Sequence, residues 1–177
     1  HWYLYQVYAS RLIGKTGYYQ VGGAVGFRDQ LQDVLSLLWT NPQYTRAQIL
    51  NHAAHQFKEG DVLHWWHEDL KFGSRTKFSD DYLWLVYVVD EYLKVTEDFD
   101  ILMEEVTYVD SEVLSPYESE KGVSYIHTSF KEPLYKHLEL MINKALSQIG
   151  IHNLPLIGSG DWNDGMNAVG HEGKGES

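Results

Sequence analysis

The sequence contains no cysteine, which excludes disulfide bonds and thiolate metal sites. Basic residues are scarce, 14 Lys and Arg against 25 Asp and Glu, and the net charge of -11 argues against a general nucleic-acid or anionic-membrane surface. The chain also lacks an apolar run of about 18 residues and shows no basic, apolar leader at its start. These absences predict no membrane contact, and the lack of cysteine is compatible with a reducing compartment, so we expect a cytoplasmic protein.

Aromatic side chains, by contrast, are abundant. The 177 residues include 6 Trp and 13 Tyr, and 44% of the chain is hydrophobic, which is enough to bury the core of one domain. An aromatic excess of this kind suits either a thick helical core or a cleft that stacks against sugar rings.

Apolar residues at helical spacing predict five or six helices and no convincing strand alternation. The predicted helices span about 2–15, 29–39, 42–58, 80–95, 97–105 and 130–149. Asn41 followed by Pro42 is a helix cap with proline at the first helical position, and Gly150 is the expected stop of the last helix. We therefore predict an all-α fold, with paired helices and their binding loops gathered at one end, as in an α/α toroid.

The most unusual connection is the acidic loop at residues 158–167, which places two Asp, two Asn and a Trp between glycines. An acidic turn capped by its own side chains is one interpretation. A calcium loop using Asp161, Asn163 and Asp164 is a second, although the alternating spacing and downstream Glu of such loops are missing. A carbohydrate site is the third, with Trp162 supporting a sugar ring and an Asp donating a proton.

Two other irregular stretches hold polar candidates, and each candidate also has a purely structural explanation. The candidates are Arg28, Asp29, His64, Trp66, Arg75, Asp80 and Asp81. Asp29 and Asp80 can be helix caps, and the arginines can form surface ion pairs. A zinc site at His64 and His67 is disfavoured because the chain has neither cysteine nor an HExxH helix, and we predict no metal site.

Four uncommon segments occur here in one order: GFRDQLQD at 26–33, EGDV with HWWH within 59–67, SDDYLWL at 79–85 and LPLIGSGDWNDGMN at 154–167. The series resembles the catalytic domain of glycoside hydrolase family ninety-four, the inverting disaccharide and oligosaccharide phosphorylases related to cellobiose and chitobiose phosphorylase. Within the family, the sequences of these segments are most similar to the β-1,2-glucan branch, which includes 1,2-β-oligoglucan phosphorylase and the phosphorylase-like region of cyclic β-1,2-glucan synthase. Cellobiose-type members carry Arg where Gly23 stands.

The resemblance implies an (α/α)6 barrel of twelve helices, of which about half would be present. We therefore expect residues 1–177 to be a fragment of one catalytic domain, truncated at both ends and inactive in isolation. The partners implied are an oligosaccharide and inorganic phosphate as co-substrate, without a cofactor. A homodimer is the expected assembly of the full-length protein.

The resemblance also assigns the site residues. It implies Asp164 as the general acid, and Arg28 and Arg75 as phosphate-binding residues. Asp29 and Trp162 would hold the glucosyl ring, and Asp161 would position the substrate. The remaining substrate-binding residues expected around the cleft are His64, Trp66, Asp80 and Asp81. A single acid suffices because phosphate, unlike water, is already an anionic nucleophile and needs no base. A guanidinium matches its oxygens, and Trp162 can help to keep the acid protonated.

The predicted reaction is phosphorolysis of a β-glucoside, β-1,2-linked from the branch resemblance, to α-glucose 1-phosphate and a shortened acceptor. Three alternatives stay open. The first is an inverting glycoside hydrolase with Asp29 or Asp80 as base. The second is a cellobiose-type or chitobiose-type phosphorylase, and the third is a sugar-binding or assembly fragment without catalysis.

Overall fold

The computed structural model describes residues 1–13, 22–164, 168–169 and 174–176. The helix end predicted before Gly17 and the part of the acidic loop from Gly165 to Asn167 lie outside the described residues. The described chain combines α-helices with a four-stranded and a two-stranded antiparallel sheet. The prediction of an all-α (α/α)6 barrel fragment is therefore wrong: the segment has a mixed α and β fold.

The helices fall close to the predicted segments, and all but α4 are shorter than predicted. They are α1 Trp2–Val7, α2 Phe27–Val34, α3 Pro42–Ala53, α4 Asp81–Thr96 and α5 Leu134–Leu146, with a π-helix at Tyr8–Leu12 and 3-10 helices at Leu35–Leu37 and Phe99–Met103. The predicted start of α3 is confirmed, because the Asn41 side chain accepts a hydrogen bond from the Tyr44 N–H and Pro42 follows it.

In the part of the chain that the structure describes, six strands occupy stretches that we predicted as irregular loops or helix ends. They are β1 Val25–Gly26, β2 Leu63–His67, β3 Phe72–Thr76, β4 Glu105–Asp110, β5 Glu120–Ser124 and β6 Ile126–Pro133. One sheet has the order β1-β2-β3-β5, and the other pairs β4 with β6. In β4, Val106 and Tyr108 are buried and Glu105 is exposed, so the alternation is present but extends over too few residues to stand out from a helical pattern.

Strand β2 contains a β-bulge. Leu63 pairs with Arg75, whereas Trp65 pairs with the next residue of β3, Ser74, so His64 is an extra residue without a partner of its own. A bulge bends its strand and redirects a side chain. As a result, His64 and Trp65 are both partly exposed, while Leu63 and Trp66 are buried.

Helices α2 to α5 pack into a common core, to which each contributes fully buried aliphatic side chains, among them Leu31, Ile49, Leu85 and Met141. The first turns of α2 and α4 contact β2, with Phe27 of α2 in the core and Asp81 of α4 hydrogen-bonded to His64. None of the helices in the described residues has the length and apolar character needed to cross a bilayer.

Candidate active site

A cleft of about 390 Å³ opens between the start of α2, strand β2 and the acidic loop. It is lined by Gly22, Ala24, Gly26, Arg28, Asp29, His64, Trp65, His67 and Asp164. The volume lies within the range of small-molecule sites, and the lining brings a guanidinium, imidazoles and carboxylates together. Four of the predicted site residues therefore share one cleft: Arg28, Asp29, His64 and Asp164.

Arg28 is the central group of this cleft. Its Nη1 donates to both carboxylate oxygens of Asp80, at 3.1 and 3.2 Å, and to the backbone carbonyl of Asp161 at 2.5 Å. Its Nη2 donates to the carboxylate of Asp164. The guanidinium carbon lies 5.4 Å from the centre of the Phe78 ring, and the side chain is buried. One cation thus joins α2, the start of α4 and the acidic loop.

The acidic loop presents Asp164 at its described end. The Asp161 carboxylate accepts the Asn163 N–H at 2.8 Å, and the Asp161 carbonyl accepts the Asp164 N–H at 2.9 Å. Asp164 has φ 59, a left-handed conformation that Asp tolerates better than most residues. The described part of the loop therefore contains an Asx turn at Asp161, in agreement with the interpretation of an acidic turn capped by its own side chains. The Asp164 side chain that follows is 70% exposed beside Arg28.

Asp80 directly precedes α4, but its side chain makes no helix-capping hydrogen bond. It is instead shared between Arg28 and the Trp84 indole N–H, which donates to it at 3.0 Å. Burial and then the neighbouring charge of Asp81 raise the pKa of Asp80, against the opposing effects of Trp84 and Arg28. Asp80 therefore acts as a partner that fixes the Arg28 guanidinium.

His64 and Asp81 form a hydrogen-bonded pair, with 2.7 Å between Nδ1 and Oδ2, and the imidazole stacks on Phe78 at 4.4 Å. Burial alone would lower the pKa of His64, but the hydrogen bond and charge of Asp81 outweigh it and raise the pKa. Within the described residues, the second carboxylate oxygen of Asp81 is buried and has no hydrogen-bond partner. Asp81 thus reaches the cleft through the imidazole that it orients.

Asp29 lines the cleft and is held by Arg11, a residue that the sequence did not single out. Arg11 Nη1 donates to Asp29 at 2.6 Å, and its Nη2 and Nε donate to Asp33 at 2.6 and 2.8 Å. Helical spacing places Asp29 and Asp33 on one face of α2, which was the available signal for a shared cation.

The structure does not bring Trp66 to the cleft. The side chain is 1% exposed, stacks on His55 at 4.0 Å and belongs to the hydrophobic core. Its neighbours Trp65 and His67, which we did not predict, line the cleft instead. Strand alternation would have separated Trp65 from Trp66, but β2 was not recognised as a strand.

Arg75 lies in a separate, internal ion cluster. Its Nε and Nη2 donate to the two carboxylate oxygens of Asp61 at 2.6 and 2.8 Å, and Nη2 also donates to Glu59 at 2.9 Å. The guanidinium lies 3.8 Å above the Phe57 ring and is 1% exposed. Its donors are therefore engaged by acceptors of its own chain, away from the cleft residues.

Trp162 lines a second, apolar hollow of about 280 Å³ rather than the first cleft. The hollow also contains Asp80, Leu83, Trp84 and Tyr87, and the Trp162 indole N–H donates to Gln32 at 3.3 Å. Trp84 and Tyr87 were not predicted as site residues, although their spacing of three on a helix places them side by side. Asp80 contacts both the hollow and Arg28 of the cleft.

Comparison with known proteins gives a family match over the whole chain. The family model described as "Glycosyl hydrolase 94 superfamily, catalytic domain" matches residues 1–177. The chain is 44% identical over 185 residues to the "Cyclic beta-(1,2)-glucan synthase NdvB" of Rhizobium meliloti (strain 1021), covering 100% of this chain and 6% of that protein.

Two phosphorylases are also similar. The "Solabiose phosphorylase" of Paenibacillus borealis is 31% identical over 152 residues, covering 86% of this chain and 17% of the relative. The "N,N'-diacetylchitobiose phosphorylase" of Vibrio furnissii is 25% identical over 199 residues, covering 97% of this chain and 23% of the relative. The chain thus spans less than a quarter of the length of each of these relatives.

Proposed function

The chain belongs to the glycosyl hydrolase 94 superfamily, within its catalytic domain, and we propose that the protein transfers a glycosyl group from a β-glycoside to inorganic phosphate. The family membership predicted from the four sequence segments is confirmed. Two of the relatives described above carry the word phosphorylase in their names, which supports phosphate rather than water as the acceptor.

The proposed substrates are β-1,2-linked gluco-oligosaccharides, and the products are α-glucose 1-phosphate and an acceptor shortened by one glucose. This choice is supported by the relative at 44% identity, whose name specifies a β-(1,2)-glucan. It also agrees with Gly23, which stands where cellobiose-type members carry Arg.

The observation that carries the proposal is the contact between Arg28 and Asp164 at the mouth of one cleft. In the proposed reaction, a phosphate oxygen attacks the anomeric carbon while the glycosidic oxygen leaves with a proton from Asp164. Bound phosphate competes with Asp164 for the Arg28 guanidinium, since both are anions that accept from the same donors. Losing that donor and gaining a phosphate neighbour both raise the proton affinity of Asp164, as a general acid requires.

The other cleft groups have supporting roles in the proposal. His64, oriented by Asp81, adds a second cation for phosphate when it is protonated. Asp29, held by Arg11, accepts hydrogen bonds from glucosyl hydroxyls. Asp80 and Asp161 fix Arg28, so they position the substrate through it.

Trp162 offers an aromatic surface to the sugar from the neighbouring hollow, where it lies with Trp84 and Tyr87. An indole face packs well against the C–H groups of a pyranose ring. Because Asp80 lines the hollow and also binds Arg28 of the cleft, we expect a bound oligosaccharide to extend from the cleft toward Trp162.

The test is phosphate-dependent release of glucose 1-phosphate from β-1,2-gluco-oligosaccharides by the full-length protein. Asp164→Asn removes the proton donor and is expected to slow release about 10²- to 10⁴-fold. A nitrophenyl β-glucoside should lose much less rate in this variant, because its leaving group needs no proton. The matched control is Asp90→Asn, which neutralises an aspartate on the exposed side of α4 and should leave both rates unchanged.

Unchanged turnover of the oligosaccharide by Asp164→Asn would refute the acid assignment. Equal losses on the oligosaccharide and the nitrophenyl glucoside would also contradict it, because they would show a defect in binding or folding instead of proton donation.

A second candidate, inverting hydrolysis, is favoured by one observation: the Asp29 carboxylate lines the same cleft as Asp164 and can serve as a base for water. Under that function, glucose would be released at the same rate with and without phosphate, and Asp29→Asn would abolish release. Strict dependence on phosphate would exclude hydrolysis as the main reaction.

A further inference from the structure

Outside the cleft, two histidines and a glutamate converge from three segments that are distant in sequence. His55 follows α3, Glu68 lies in the turn between β2 and β3, and His127 lies on β6. His55 Nε2 is 3.0 Å from one Glu68 carboxylate oxygen, and His127 Nε2 is 3.8 Å from the other. The three donor atoms lie within 4.8 Å of one another, and the proposed reaction uses none of them.

Hydrogen bonding leaves two acceptors facing each other in this cluster. The Nδ1 atom of His55 is 2.7 Å from the Asn51 carbonyl, which can only accept, so Nδ1 carries the proton and Nε2 of the neutral ring presents a lone pair. That lone pair faces the Glu68 carboxylate, which also only accepts.

Tyr125 supplies one proton to the two facing acceptors. Its hydroxyl is 3.2 Å from a Glu68 oxygen and 3.5 Å from His55 Nε2. A hydroxyl donates a single hydrogen bond, so either the imidazole nitrogen or the carboxylate remains without a donor from Tyr125. A cation bound between them would satisfy both.

We propose that His55, Glu68 and His127 form a zinc-binding site. Two imidazole nitrogens and one carboxylate oxygen are a donor set that Zn²⁺ uses with a fourth position left for water. Metal–ligand distances of about 2.0–2.2 Å place tetrahedral donor atoms about 3.3–3.5 Å apart. His55 Nε2 lies 3.0 Å from its Glu68 oxygen, close to that spacing, and the complete set of three donor atoms lies within 4.8 Å, so a small closure of the site would bring all three onto one ion. The carbonyl that accepts from His55 Nδ1 also orients the ring as metal-binding histidines require.

Lys71 is the competing cation in this cluster. Its ammonium pairs with Glu68 and lies 5.8 Å from the centre of the Tyr125 ring. The side chain is 48% exposed, so it can move into water when a divalent ion binds. Replacing Lys71 with an uncharged residue should therefore strengthen zinc binding.

Bound zinc would tie together the end of α3, the β2–β3 turn and β6. Glu68 directly follows His67, which lines the cleft, and His55 stacks on Trp66 of β2. The expected consequence is a more stable fold with the end of β2 held in place, without participation in the glycosyl transfer itself.

The test is calorimetric titration of the chelator-treated full-length protein with Zn²⁺ in the absence of sugar and phosphate. We expect one equivalent to bind with micromolar or tighter affinity and to raise the unfolding temperature. His127→Gln and Glu68→Gln should each weaken binding at least about 10-fold, and Lys71→Met should strengthen it several-fold. His152→Gln is the matched control, because His152 also pairs with a glutamate, Glu176 at 2.9 Å, but belongs to no group of three donors in the described residues.

Zinc affinity that is unchanged in both His127→Gln and Glu68→Gln would overturn the proposal, as would no binding by the wild-type protein. Tighter binding of Mg²⁺ than of Zn²⁺ would also contradict it, because imidazole ligands disfavour Mg²⁺. Should Glu68→Gln fail to fold, His127→Gln alone decides the question, since the His127 side chain is 30% exposed and its replacement leaves the core intact.

Discussion

Two buried arginines, Arg28 at the cleft and Arg75 in the internal ion cluster, received the same predicted role but have different surroundings. Arg75 is enclosed by Asp61, Glu59 and the Phe57 ring. Arg28 is fixed on one side by Asp80, while its other nitrogen meets Asp164, a side chain that is 70% exposed. A buried cation can bind a substrate only when a partner can leave and open it to a cleft. Arg28 and its exposed partner Asp164 both line the cleft, whereas Arg75 does not line it, although its partner Glu59 is 50% exposed.

The largest expected effect of replacing either arginine is the loss of stability in the Arg75→Met variant. The substitution leaves the buried Asp61 carboxylate without its bidentate partner, and breaking a buried ion pair costs about 3–5 kcal/mol of unfolding free energy. Urea denaturation measures this change. Arg46→Met, which removes a more exposed pair with Asp98, should cost much less.

A rise in the KM for phosphate in Arg75→Met, with little loss of stability, would contradict a purely structural role for Arg75. It would support the role in phosphate binding that the family resemblance implied for Arg75.

The next effect concerns Arg28→Lys, which keeps the positive charge but loses the planar fork of donors. We expect the KM for phosphate to rise about 10- to 100-fold, the range of one or two charged hydrogen bonds. Initial rates at varied phosphate provide the measurement, with Arg46→Lys as the control. An unchanged KM would show that Arg28 serves only to hold Asp80 and the acidic loop.

Gly60→Ala tests the internal cluster through its backbone. Gly60 lies between Glu59 and Asp61 with φ +88, and an added Cβ would lie 2.8 Å from the Leu140 carbonyl. We expect a loss of about 1–3 kcal/mol in thermal or urea unfolding. Gly22→Ala at the cleft, whose Cβ would be 3.7 Å from the His67 ring, should retain stability. Similar losses of unfolding free energy in the two variants would contradict the expectation that an added Cβ is accommodated at the cleft but not in the internal ion cluster.

The smallest effect is the pH dependence of the His64–Asp81 pair beside Arg28. Asp81 raises the folded-state pKa of His64 despite burial, so the pair stabilises the fold fully below the unfolded pKa of about 6.5 and loses this contribution as pH rises through the folded pKa. The stability difference between wild type and His64→Gln should therefore be largest at acid pH, on the order of 1 kcal/mol. NMR titration showing a His64 pKa at or below its ordinary value would contradict this.

Much of the helical framework could be predicted from the sequence because caps and periodicity act locally. The Asn41 cap and Pro42 located the start of α3, and the apolar pattern of α4 located both of its ends within one residue, whereas α3 ends at Ala53 instead of the predicted Lys58. The strands could not be found in this way, since β3 is polar and β2 is interrupted by a bulge, and their pairing joins residues far apart in the chain. Residues 130–133, predicted as the start of α5, instead continue β6 in its pairing with β4.

Prediction of the candidate site from the sequence was limited in the same way, because residue types do not show which side chains the fold buries. Of the residues named from the four sequence segments, Arg28, Asp29, His64 and Asp164 line one cleft. Trp66 and Arg75 carry residue types suited to a sugar and phosphate site, and only the fold shows that both side chains point into the interior. The proposed zinc site could not be recognised in the sequence, because His55, Glu68 and His127 lie far apart in the chain and form no short metal-binding motif.

The unpaired position of His64 in β2 has a consequence for how this strand can vary. If His64 were deleted, Leu63, Trp65, Trp66 and His67 would still alternate between the two faces of the sheet, and their partners on β3 would be unchanged. His64 is thus a one-residue insertion into a strand whose pairing with β3 is complete without it. Relatives that differ by a single-residue gap at this point could lose or acquire the histidine while keeping the same sheet.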